Sequence, residues 1–405
     1  MNKLFLLVSI VFLTLLFSCK NNYDNTEDTY LVVLSMDGFR WDYPNHASTP
    51  TLDSIASVGV RAEGLIPAFP SKTFPNHYTM ATGLYPDHHG LVNNTFFDPE
   101  TKTIYRIGDS ATRNNPYYYG GEPIWVTAAK AGMKTASFFW VGSELPIGGV
   151  QPDYWKQYET RFPFEQRIDT IIYWLNLPVE KRPRLIMWYM HEPDAIGHKY
   201  GPDCLETYDM VTYLDSLVGV FCGKINTLPH ADRMNLIFTS DHGMAAISED
   251  KVIDLKEIIP ADWLEEVVGG NPNYNILAKV GYADSVYNLL QSVENIKAWK
   301  NPDVPASLHY GTNPRTLDIT VVADIGWSIH WRRNPNYSNS GGTHGFDPAH
   351  PDMHAIFYAS GPAFKKSWTH PRFENVNLYV LMAELLGLQP AANDGKMENI
   401  KEMLN

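Results

Sequence analysis

Three short apolar runs end in metal-ligating residues: "YLVVLSMDG", "RLIMWYMHEPD" and "MNLIFTSDHG". Each run is too short for a buried helix and too continuous for a half-exposed strand. Such runs read as strands covered on both faces, the signature of a parallel sheet. "KTASFFW" (134–140) and "HAIFYAS" (354–360) have the same character, and helical patterns lie between many of the runs. The predicted class is α/β, a largely parallel central sheet with helices on both faces. The segment 258–333 breaks the rhythm. It contains "GGNPNY", a predicted helix over "ADSVYNLLQSVENIKAW" and a strand candidate, "LDITVVA". It is expected to form a smaller inserted α+β cap, leaving 30–257 and 334–405 as the main domain.

The chain of 405 residues is 44% hydrophobic and 19% charged, enough for a large core. A formal net charge of −13 argues against a general nucleic-acid binder, which would show a basic face. It leaves room for an anionic small molecule if a bound cation reverses the local field. The start, "MNKLFLLVSIVFLTLLFSCKNN", has Lys3 followed by an apolar run from Leu4 to Phe17. That run is shorter than the ~20 residues of a membrane span. Residues 1–18 are expected to be a signal peptide. "LFSC" resembles a bacterial lipobox, which implies lipidation at Cys19, a polar tether over 19–29 and a place in the cell envelope, periplasmic or on the outer-membrane surface. Cys204 and Cys222 fall at opposite ends of one predicted helix, about 27 Å apart at 18 residues. A bridge needs Cα atoms within about 7 Å, so both are expected as free, buried thiols.

In open α/β sheets, ligands bind at the carboxyl ends of the strands. Asp37, Asp194 and Asp241 fall there, with His198 and His242 close in sequence. His344 stands in a glycine-rich loop, "GGTHGFD". Three carboxylates together repel one another unless a cation lies between them. Mixed nitrogen and oxygen ligation suits zinc or another transition ion, and six ligands suit two ions. Singly, each cluster also reads as an ordinary turn or helix cap. Thr73, in "PSKTFPNHYTMATG", opens a predicted helix whose N-terminus favours a phosphate. A metal-activated threonine there is a nucleophile candidate. Read alone, the segment fits Thr73 or Ser71 as a plain N-cap.

Taken together, "VLSMDGFR", "FPSKTFPNHYTMATGLYPDHHGLVNN", "EPDAIGHKYGP", "TSDHGM" and "GTHGFD" resemble the nucleotide pyrophosphatase/phosphodiesterase family of the alkaline-phosphatase-like superfamily. The resemblance spans about Tyr30 to Leu388. It implies an alkaline-phosphatase-like fold and two Zn2+ ions. One ion would be held by Asp194, His198 and His344, the other by Asp37, Thr73, Asp241 and His242. It also implies a phospho-threonine on Thr73 and hydrolysis of nucleotide phosphodiester or pyrophosphate bonds to nucleoside 5′-monophosphate. Asn94 matches the residue that binds a non-bridging phosphate oxygen, with Asn93 adjacent. Phe74 and Tyr189 match the aromatic pair around the base. Tyr158 and Lys72, the latter beside Thr73, are further candidate substrate contacts. The expected partner is a small nucleotide, not a nucleic-acid duplex, with membrane contact only through the anchor and the protein a monomer. Phosphomonoesterase activity and cleavage of choline-phosphate lipids are alternatives on the same scaffold. A non-catalytic nucleotide- or glycan-binding lipoprotein is a remoter one. The serine-and-arginine site of alkaline phosphatases and the C/S-x-P-x-R pattern of sulfatases are both missing from "SKTFPN".

Overall fold

The computed structural model describes residues 29–331 and 339–405. The expected signal peptide, Cys19 and all of the tether but Thr29 lie outside the described residues. So does the boundary expected near 333–334.

The strongest apolar run, Tyr30–Met36, is buried at every position and lies inside an eight-stranded sheet. It pairs in parallel with Leu185–Met190 on one side and Met234–Thr239 on the other. Beyond Leu185–Met190 lie Thr135–Phe138 and then Tyr154–Lys156, both parallel. Beyond Met234–Thr239 lie Phe357–Ser360, Val60–Ala62 and Trp368–His370. Only the pairings made by Phe357–Ser360 are antiparallel. The fold is therefore the expected α/β sheet, with one reversed strand in it.

Alternation along Tyr30–Met36 divides the interior in two. Leu31 and Val33 pack into one core with helices Ile124–Lys130 and Leu378–Leu386. Tyr30, Val32, Leu34 and Met36 pack into the other with helices Phe164–Leu175 and Leu205–Ile225. A central strand buried on both faces needs apolar residues at consecutive positions, which is why the run carries no polar alternation.

A second sheet has four antiparallel strands in the order Leu264–Gly270, Asn273–Ala278, Ile319–Ala323, Ile296–Lys300. Helix Ala283–Gln291 packs on it around Val286, Leu290, Ile276 and Val321. The helix expected over 283–299 is corrected here: it stops at Gln291, and Ile296–Lys300 pairs with Ile319–Ala323 as a strand. Asn295 turns the chain into the strand with φ +63°, a left-handed conformation that asparagine tolerates better than most residues.

Helix Leu205–Ile225 carries Cys204 at its N-cap and Cys222 in its last turn. Both thiols are free, as expected, but half-buried rather than buried, because each sits at an end of the helix. Among the described residues no helix is long and apolar enough to cross a membrane.

Candidate active site

Parallel register brings the acidic strand ends together. Ser35 lies opposite both Tyr189 and Thr239, so Asp37, the loop to Asp194, and Asp241 leave the sheet at one level. Asp37 N–H donates to the Met190 carbonyl (2.9 Å), and Asp194 N–H donates to the Asp37 carbonyl (3.0 Å). Gly38 makes this approach possible. It has φ +67°, and a Cβ there would stand 2.9 Å from the Asp194 Cα. His344 arrives differently. Gly341–Thr343 pairs antiparallel with Ala245–Ile247, folding the "GTHG" loop back over the "DHG" turn.

The three histidines share one arrangement. The Nδ1 of His198 faces the Gly342 carbonyl (2.9 Å), that of His242 the Gly243 carbonyl (2.8 Å), and that of His344 the Ser71 carbonyl (2.8 Å). A carbonyl only accepts, so each Nδ1 carries the proton and each Nε2 presents its lone pair to the site. The Nε2 atoms face carboxylates. His198 and His344 stand 3.4 and 3.6 Å from Asp194 Oδ1, and His242 stands 3.4 Å from Asp37 Oδ1 and 3.0 Å from Asp241 Oδ2. The rings of His242 and His344 stack at 3.6 Å.

Asp194, His198 and His344 form one group able to hold a cation, and Asp37, Asp194 and His242 another. A third joins Asp37 and Asp241 to His77, a residue without a predicted role. His77 lies one turn below Thr73, with Nδ1 3.0 Å from the Thr73 carbonyl and Nε2 2.9 Å from Ser35 Oγ. Its spacing of four from Thr73 is the signal that marks it.

The donor set fits cations. Asp37 Oδ1, Asp194 Oδ1 and Asp241 Oδ2 are buried and have no hydrogen-bond partner, a costly state for acceptors converging on one point. Burial, then Asp241 and Asp194, push the Asp37 carboxyl well above its usual range. Burial, helped by the Lys72 charge, keeps the His344 imidazole well below its usual value and so neutral. A positive ion among these groups relieves the carboxylate repulsion and uses the lone pairs.

Thr73 is the first residue of helix Thr73–Thr82, and Lys72 takes the N-cap position without a side-chain cap bond. The plain N-cap reading of Thr73 or Ser71 is thereby corrected. Ser71 Oγ donates instead to the Phe346 carbonyl (2.9 Å), and Thr73 Oγ1 lies 3.3 Å from His242 Nε2. The helix start is a narrower anion site than expected: the Phe74 N–H already donates to Asn94 Oδ1 (3.0 Å), and Pro75 has no N–H. That bond fixes Asn94, whose NH2 group has no hydrogen-bond partner among the described residues. Asn93 is buried and engaged at both ends, to Asn273 and to the Asn94 N–H.

A cleft of about 480 Å³ opens outward from Asp37, Thr73 and Asp194. Phe74, Tyr158 and Tyr189 line it, as do Ile107, Arg113, Phe139, Trp140, Glu144 and Leu145, which the sequence did not single out. The Tyr189 hydroxyl donates to Asp37 Oδ2 at 2.6 Å. Tyr158 is 38% exposed at the mouth and donates its N–H to Glu144 Oε1. Lys72 is turned elsewhere: its buried amine donates to the Asn271 carbonyl at 2.5 Å, and it is not among the cleft-lining residues.

The family described as Type I phosphodiesterase / nucleotide pyrophosphatase matches residues 31–347. The chain belongs to this family. It is 36% identical to rat ectonucleotide pyrophosphatase/phosphodiesterase family member 7 over 389 residues, covering 92% of this chain and 87% of the relative. It is 35% identical to the venom phosphodiesterase CdcPDE of Crotalus durissus collilineatus, of whose length it spans 47%. Murine ectonucleotide pyrophosphatase / phosphodiesterase 5 superposes with a TM-score of 0.88 at 33% identity, over 93% of this chain and all of that one. The same murine protein is also solved as an inactive threonine-to-alanine variant in complex with AMP, with a TM-score of 0.88 at 32% identity over the same shares of both chains.

Proposed function

We propose that this enzyme hydrolyses phosphodiester or pyrophosphate bonds of nucleotides and releases nucleoside 5′-monophosphates through a phospho-threonine on Thr73. The observation that carries the reading is the convergence of Thr73 Oγ1 with three lone-pair-presenting histidines and three unpartnered carboxylate oxygens at the base of an aromatic cleft. Family membership supports it, as does the AMP complex of the murine relative.

Asp194, His198 and His344 would hold one zinc ion, and Asp37, Thr73, Asp241 and His242 the other. Zinc bound there supplies Lewis-acid polarisation of the phosphoryl oxygens and a lowered pKa for the threonine hydroxyl. Thr73 Oγ1 attacks phosphorus, the leaving alcohol or phosphate departs, and water then cleaves the Thr73 ester. The free NH2 group of Asn94 donates to a non-bridging oxygen. A neutral amide there suits a diester, which carries one charge fewer than a monoester. Phe74, Tyr189 and Tyr158 accommodate the base, and Lys72 acts from behind by tying Asn271 to the start of the nucleophile helix. In this reading the protein is a monomer held in the cell envelope by a lipid on Cys19, and Cys19→Ser releases it from the membrane fraction.

The test compares p-nitrophenyl thymidine 5′-monophosphate with p-nitrophenyl phosphate on the zinc-loaded protein. The proposal expects a clear preference for the nucleotide diester, lost on chelation and restored by zinc. Preference for the monoester makes the protein a phosphatase instead, and activity that survives chelation removes the two-zinc account.

A further inference from the structure

Arg167 is a buried cation without an anion. It lies in helix Phe164–Leu175 at 0% exposure, and among the described residues no carboxylate pairs with it. Its hydrogen bonds go to backbone carbonyls. Nε donates to Phe162 (3.1 Å), Nη1 to Tyr189 (3.1 Å), and Nη2 to Phe162 (2.8 Å) and Thr160 (3.4 Å). The guanidinium also sits over two rings, 5.0 Å from the centroid of Phe139 and 4.6 Å from that of Phe164. Burying a charge this way is costly, and what offsets the cost here is the set of backbone carbonyls the guanidinium satisfies.

What Arg167 joins is specific. Thr160, Tyr189 and Phe139 all line the cleft, and they come from three separate segments. Tyr189 ends one central strand, Phe139 follows another, and Thr160 lies in the loop that carries Tyr158. Phe139 has φ +72°, a left-handed conformation that a non-glycine residue keeps only where its surroundings fix it. The Arg167 guanidinium is one such fixture, packed on the Phe139 ring. A planar fork can reach several carbonyls while stacking on aromatic faces, which a lysine amine cannot do.

We propose that Arg167 is a positioning residue for the substrate's base: it gathers Phe139, Tyr189 and the Tyr158–Thr160 loop into one aromatic wall without touching the substrate. This rests on the nucleotide reading of the cleft. Thr73, Asp241, His242 and His344 lie on other segments, and Arg167 holds the Tyr189 backbone rather than the hydroxyl that meets Asp37, so removing the clamp loosens base binding far more than it disturbs the chemistry.

The experiment uses two diesters, p-nitrophenyl thymidine 5′-monophosphate and the base-free methyl p-nitrophenyl phosphate, on the wild type, Arg167→Met, Arg167→Lys and Phe164→Leu. Thermal stability is measured alongside. Arg167→Met is expected to raise KM for the nucleotide ester about tenfold, the scale of one weakened base stack, with kcat within about twofold. Its kinetics on the base-free ester stay at wild-type values. Arg167→Lys falls between, and Phe164→Leu, which removes one stacked ring outside the cleft, shifts KM a few-fold in the same direction. Equal losses on both esters, or an unchanged nucleotide KM, overturn the proposal. If Arg167→Met does not fold, the other two variants decide by the same criterion. A wild type that does not favour the nucleotide ester removes the nucleotide reading and the proposal with it. A wild type that favours it, beside variants that keep its KM, removes the proposal alone.

Discussion

The two ends of the cleft are built on different principles. At the inner end, the carboxylates follow the tips of paired parallel strands, and the nearby histidine rings are oriented by backbone carbonyls. At the outer end, Phe139, Tyr158 and Glu144 come from connecting segments, drawn together by a buried arginine and a few hydrogen bonds. The inner end needs fixed ligand geometry, and sheet register supplies it. The outer end needs only flat apolar faces at a suitable spacing, so many residues can serve. Chemistry and specificity are therefore separable here, and the two ends should fail in different ways.

The largest expected effect tests the inner end. Thr73→Ala should lower turnover of every ester by at least ~10³-fold, since the proposed mechanism draws its nucleophile from Thr73. Steady-state assays check the rate, and circular dichroism checks that the fold is retained. Next comes ligand loss. His344→Ala should remove about one equivalent of bound zinc, measured by elemental analysis, and cut kcat by roughly 10²-fold or more, at the upper end of what a lost outer-shell partner costs. Full metal content in that variant would break the ligand assignment.

Smaller effects belong to the outer end. Phe74→Ala should raise KM for nucleotide esters about tenfold and leave base-free esters unchanged, since a base–aromatic stack is worth ~1–3 kcal/mol. An equal rise on both would erase the separation of the two ends. Tyr189 is the sharpest probe because it belongs to both, its ring in the cleft and its hydroxyl on Asp37. Tyr189→Phe keeps the ring and deletes a charge-assisted bond. A kcat loss of about three- to tenfold on both ester types, with the nucleotide KM unchanged, is expected from parallel kinetics.

The same contrast explains what the sequence revealed. Asp37, Asp194, Asp241 and their histidines were legible because few structural roles call for such residues at the ends of apolar strands. The long apolar runs were legible as strands for a related reason: the sheet is buried on both faces. Ile296–Lys300 was hidden because "VENIKAW" continues a helical pattern, and only pairing with Ile319–Ala323 makes it a strand. Phe139 and Trp140 were hidden because they close an apolar run that reads as buried strand to its end, whereas the strand stops at Phe138, and Glu144 because an acid in a loop has many ordinary uses. His77 stood inside a quoted motif, yet its contacts with Ser35 and the Thr73 carbonyl exist only once strand and helix are packed. Arg167 carried no signal at all, since its partners are backbone carbonyls.

The central claim is covalent attack by Thr73, and rapid acid quench tests it most directly. The protein is mixed with ATP, stopped within the first turnover, digested, and the peptide containing Thr73 is weighed by mass spectrometry. The account predicts a nucleotidyl group esterified to Thr73 that is missing in Thr73→Ala. Turnover with no adduct on Thr73, accompanied by direct inversion at a chiral thiophosphate, would show that water attacks phosphorus itself and would contradict it.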